Sequence, residues 1–96
     1  MNKLEILLYK IKDFIDKKTT LSEYEMSSKI EDFIIDNFWE IDKENPEIAT
    51  FLNDDVLDIC EQTEPGLEGT NFRKEIEEAY QQIVEMRSKH NGFLQP

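Results

Sequence analysis

Ninety-six residues with 22 acidic and 11 basic side chains give a net charge of −11, and a chain of this length makes one domain with a single modest core. That charge disfavours nucleic acid and anionic membrane as direct partners, because both repel it, and makes a cationic protein the natural complement. A hydrophobic content of 39% with 10% aromatics excludes an acidic disordered tail. No apolar run approaches the ~20 residues of a membrane span, and no small-residue signal cleavage site follows the amino terminus.

The predicted elements are four helices, at about 3–18, 20–39, 46–62 and 70–89. In the first, Leu4, Leu7, Leu8, Ile11, Phe14 and Ile15 recur at helical spacing, and the lysines Lys17 and Lys18 suit the negative end of its dipole. Thr20 and Glu23 read as a capping box that opens the second helix. This helix is apolar on two sides, with Met26, Ile30, Phe33 and Ile34 on one stripe and Tyr24, Ile35, Phe38 and Trp39 on the other. Such a helix lies centrally in a bundle or offers its second stripe to a partner.

Residues 41–45 read as a polar link, with Asn45 as N-cap and Pro46 at the first position of the third helix. That helix gathers Ile48, Ala49, Leu52, Val56, Ile59 and Cys60 on a core stripe, with Phe51 assigned to packing and Leu57 to either packing or an interface. Thr63 to Gly69 reads as a loop around Pro65, Gly66 and Gly69, and Thr70 or Asn71 can cap the last helix. There Phe72, Ile76, Ala79, Tyr80, Ile83 and Met86 form the apolar stripe, Lys74 with Glu78 and Glu85 with Lys89 read as surface pairs, and Gly92 ends regular structure before a loose tail. No segment alternates as a strand does. The expected fold is an all-α, single-domain four-helix antiparallel bundle.

The feature that most needs explaining is the charge of the third helix. At about 100° per residue, Glu47, Asp54, Asp58 and Glu61 fall within a sector roughly 60° wide, with Asp55 beside them and Glu64 and Glu68 in the following loop. No Lys or Arg lies between Lys43 and Arg73. Like charges one turn apart cost a helix roughly 0.2–0.5 kcal/mol per pair, so a helix built only for stability would intersperse lysines. The ridge reads as a surface prepared for a basic partner.

Catalytic chemistry is not legible. His90, the single histidine, sits at the expected frayed end, and no zinc-protease motif, di-iron helix pair or phosphate-cradling glycine loop is present. The 53–55 run lacks EF-hand spacing. The single cysteine, Cys60, lies on an apolar stripe and reads as a small buried hydrophobe in a reducing compartment. An enzyme, a cofactor, a metal and a small-molecule substrate are all unexpected, and a cytoplasmic location is expected.

The order of several short motifs is similar to that of the bacterial self-protective, colicin D-like immunity proteins. The likeness covers roughly residues 4–84: an apolar helix ending in Phe14-Ile15, the entry from Lys17 to Glu25, the segment Phe51-Leu52-Asn53-Asp54-Asp55-Val56, then Glu64-Pro65 before a helix opened by Phe72. Thr63 stands where that family often has an aromatic residue. The resemblance implies a helical bundle that binds the nuclease domain of a cognate toxin, commonly a transfer-RNA-cleaving one, with acidic side chains occupying its basic substrate groove. Expected partner-binding residues are then Glu47, Asp54, Asp55, Asp58, Glu61, Glu64 and Glu68 for alignment, and Tyr24 and Trp39 for anchoring. Phe38 is a third candidate anchor, and core packing is the competing role for all three aromatics. Two other classes stay open: an acidic DNA mimic, which would spread carboxylates over most of its length, and a helical adaptor or oligomer subunit using the second-helix stripe.

Overall fold

The four apolar stripes become four helices: α1 (Lys3–Ile15), α2 (Glu23–Glu44), α3 (46–61) and α4 (Phe72–Gly92), with no strand among the described residues. The computed structural model describes residues 2–63 and 71–92, the last three by backbone alone. The expected loop acids Glu64 and Glu68, the Thr70 cap and the tail 93–96 lie outside the described residues. Successive helices pack side by side, and α4 closes the bundle against α1. Arg73, at the start of α4, reaches Phe14 at the end of α1, so the two run antiparallel.

The helix ends correct the expected boundaries, each for a local reason. Asn2 and Glu5 form a reciprocal capping box at the start of α1. That helix stops at Ile15 rather than Lys18 because Lys17 turns left-handed at φ 60°. Its N–H then donates to the Phe14 carbonyl at 3.1 Å, and the Lys18 N–H donates to the Asp13 carbonyl at 2.8 Å. This crossed pair satisfies carbonyls that the helix end would leave open.

The second capping box is built on Ser22 and Glu25, not Thr20 and Glu23. The Glu25 N–H donates to Ser22 Oγ at 3.1 Å and the Ser22 N–H to Glu25 Oε1 at 2.9 Å. Two residues are spent before the cap because Leu21 packs against the core, and an extended entry delivers it there. The far end of α2 also departs from expectation: residues 41–45 are not a polar link. The helix bends at Asn37 (φ −122°, ψ 16°), where the side-chain amide donates to the Phe33 carbonyl at 2.9 Å, then continues to Glu44. The bend sends Ile41 fully into the core, and Asn45 alone joins α2 to α3, its side chain capping Ile48 at 3.1 Å.

The third helix is not a uniform α-helix. Pro46–Phe51 and Leu57–Glu61 are α-helical, while Leu52–Val56 forms a wide π turn in which the Leu57 N–H reaches back five residues to Leu52. Ile48, Leu52, Val56 and Cys60 explain it. In a regular helix, residues four apart drift by about 40° per step, which would fan this row out of the core. Underwinding the middle keeps all four buried.

The core joins Leu4, Leu7, Leu8, Ile11 and Phe14 of α1 to the buried faces of α2, α3 and α4. Phe14 meets Phe72 edge to face at 5.7 Å between ring centroids. Ile15, Phe33, Phe38, Phe51, Leu57, Ile59, Tyr80 and Met86 are half-buried against it. The expected stripes of α1 and α4 are therefore the ones that pack. The surface pairs expected between Lys74 and Glu78 and between Glu85 and Lys89 are not formed: Lys12 with Asp16, at 2.9 Å, is the single ion pair among the described residues. Exposed helix pairs gain only about 0.3–0.5 kcal/mol, too little to hold long side chains together.

Candidate partner-binding surface

The five described carboxylates of α3, Glu47, Asp54, Asp55, Asp58 and Glu61, are all exposed, and none forms an ion pair with a described Lys or Arg. Side-chain amides are their only described hydrogen-bond partners: Gln62 donates to Asp58 at 3.0 Å and Asn53 to Asp54 at 3.3 Å. The underwound middle of α3 changes how the row is disposed. A wide turn advances each residue by less than the ~100° of an α-helix, so the residues after it are rotated relative to Glu47. The later carboxylates therefore turn away from Glu47, and Asp58 and Glu61, about 60° apart in the regular turn that follows, meet different neighbours.

One part faces α4. Asp55 and Asp58 of α3 and Glu75 and Glu78 of α4 line a groove of about 320 Å³, with Phe51, Ile59 and Ala79 as its apolar walls and Gln62 and Gln82 at its edges. The other part faces α2. Glu61 stands near Glu31, whose carboxyl is held above its ordinary value by partial burial first, then by the negative charges of Glu61 and Asp32. A cation placed between Glu31 and Glu61 would relieve their repulsion.

Cys60 lies beneath this edge, 2% exposed. Burial pushes its thiol up to about 12, with the nearby Glu31 and Glu61 charges adding to the effect. It stays a neutral thiol at physiological pH and packs as a hydrophobe. No group of three His, Cys, Asp or Glu among the described residues is placed to hold a metal ion.

The aromatic candidates do not form one cluster. Tyr24 is 37% exposed and Trp39 75% exposed, but fifteen residues of α2 separate them, about 22 Å at 1.5 Å per residue. Tyr24 therefore belongs to the opposite end of the bundle. Trp39 is braced edge-on by Phe38 at 5.6 Å, and Phe38 packs on the core. Ile35, four residues before Trp39 across the Asn37 bend, is 63% exposed.

Sequence reasoning assigned Ile35 only to an apolar stripe and missed Glu75 and Glu78. Their signal was the spacing of Glu75, Glu78 and Gln82 around Ala79, a polar strip beside a small residue that lets two helices approach. The lysines cluster elsewhere. Lys10 and Lys29 border a groove between α1 and α2, and Lys12 with Arg87 borders one between α1 and α4. No described helix is long and apolar enough to cross a membrane. Comparison with family models, with curated proteins and with solved structures finds no match to this chain, which leaves its own surface chemistry as the ground for a functional reading.

Proposed function

We propose that this protein is an immunity-type inhibitor. It binds the basic nuclease domain of a cognate bacterial toxin, of the transfer-RNA-cleaving class, and blocks its substrate cleft. The observation that carries this reading is a helix whose five carboxylates are exposed and unmatched by described bases, two of them sharing a groove with two carboxylates of the next helix. A cleft that attracts phosphodiesters attracts such a row for the same electrostatic reason. The groove walls of Phe51, Ile59 and Ala79 suit the aliphatic stem of an arginine or lysine whose charged end lies among the carboxylates.

In this reading the protein is not an enzyme, needs no cofactor and acts in the cytoplasm, where the toxin would otherwise meet its substrate. Charge complementarity raises the association rate toward ~10⁸–10⁹ M⁻¹s⁻¹, as protection against a catalytic poison requires. A DNA mimic is less well supported, because the bases of α1 and its adjoining grooves interrupt the acidic surface. The adaptor reading draws on the exposed Ile35 and Trp39.

The test is co-purification with the product of the adjacent reading frame, followed by charge reversal. Asp55→Lys with Asp58→Lys should leave helicity intact, weaken capture of the nuclease domain by roughly tenfold or more, and restore transfer-RNA cleavage in its presence. Capture by the unsubstituted protein should weaken steeply with added salt. Binding indifferent to both the substitutions and salt would rule the reading out.

A further inference from the structure

Ile35 and Trp39 lie four residues apart on either side of the bend of α2 at Asn37, 63% and 75% exposed, and neither packs against the core. An isolated exposed apolar residue needs no explanation. An exposed tryptophan and isoleucine flanking one bend, with the indole braced by a core-packed phenylalanine, form a preorganised anchor. The rim is acidic. Asp32, Asp36 and Glu40, at four-residue spacing through the same bend, are all exposed, and Lys43 is the single base between residues 31 and 44.

That rim selects the occupant. A second copy of this chain would bring a net charge of −11 against another of the same sign, and acid rim against acid rim. We infer that the Ile35–Trp39 patch docks on a cationic protein surface that offers an apolar pocket ringed by Lys or Arg. This rests on the cationic-partner reading above and adds to it a second contact on α2, distinct from the groove between α3 and α4. The groove aligns the partner, and the patch holds it.

Trp39 is the only tryptophan, so its emission reports directly on the patch. The full chain is titrated with a synthetic leucine–lysine peptide of amphipathic helical spacing, and separately with an all-lysine peptide of equal charge. The leucine–lysine peptide should shift Trp39 emission to the blue and shield it from quenching, whereas the all-lysine peptide should bind more weakly with little shift. Ile35→Ser, at an exposed position that leaves folding intact, should weaken the leucine–lysine peptide by roughly tenfold. Tyr9→Ser, at an exposed aromatic on α1, should change nothing.

Asp55→Lys with Asp58→Lys should leave the emission shift at saturation in place, so failure of the groove and failure of the patch are told apart. Three outcomes would overturn the inference: equal affinity and equal shift with both peptides, equal losses from Ile35→Ser and Tyr9→Ser, or a blue shift with concentration in the protein alone accompanied by dimers in sedimentation. The last outcome would give the patch to a second copy.

Discussion

Arg73 shows how far one side chain's role can lie from its place in the sequence. Read along the chain, it is only the base that ends an acidic interval. In the fold its guanidinium donates to the Phe14 carbonyl at 2.7 Å and lies over the Phe14 ring at 4.0 Å, a contact spanning 59 residues. It places positive charge on the carbonyl end of α1, where a helix dipole favours it, and ties α4 to α1. Arg73→Ala should destabilise the fold by about 1.5–3 kcal/mol, the range for a hydrogen bond to a charged group, with the cation–π contact adding to it. Arg73→Lys keeps the charge but loses the planar stack, and should lie between the two. Urea unfolding followed by far-UV dichroism checks the order, and an alanine variant as stable as the parent would show that the contact carries no weight.

At the scale of the element, most boundaries follow from rules that act within a few residues, and the misreadings have identifiable causes. Asn45 with Pro46 was legible as a cap and first position, and it is one. Thr20 and Glu23 satisfied the same capping pattern as Ser22 and Glu25, and packing of Leu21 against the core decided between them. The wide turn of α3 was written in the four-residue spacing of Ile48, Leu52, Val56 and Cys60, but a fixed 100° wheel conceals it. The bend at Asn37 depends on where Ile41 must go, which no local rule states. The five described acids of α3 are exposed as read; the divergence of Asp58 and Glu61 is the ordinary one of residues three apart in an α-helix, whereas their rotation away from Glu47 follows from the underwinding and was not legible. Lys17 offers the test at this scale. Its left-handed backbone costs a residue with a Cβ about 1–2 kcal/mol. Lys17→Gly removes that strain and in return adds freedom to the unfolded chain. The net gain should be about 0.5 kcal/mol, read as a higher melting temperature, while Lys17→Val should lower it; a melting temperature unmoved by either substitution would mean that the turn carries no such strain.

Across the whole molecule, charge is sorted by helix. Residues 46–61 carry five acids and no base, while residues 1–18 hold five of the eleven bases. In the cyclic order of the bundle α1 lies diagonally opposite α3, since each packs against α2 and α4. The result is a molecule with a strongly negative side and a weaker positive one, an arrangement that orients it in the field of a cationic partner. The same arrangement predicts opposite responses to salt. With one described ion pair and a net charge of −11, self-repulsion outweighs internal attraction in the free protein. Raising sodium chloride from a few millimolar toward 1 M shortens the screening length from tens of Å to about 3 Å. That should stabilise the fold by about 1 kcal/mol, a rise of roughly 4–8 °C in melting temperature for a domain of this size. Attraction to a cationic partner is screened over the same range and should weaken. Melting scans and binding titrations at matched salt concentrations therefore move in opposite directions if the acids serve a partner. If added salt lowers the melting temperature, those carboxylates are engaged in favourable pairs within the fold, and the electrostatic reading of α3 fails with them.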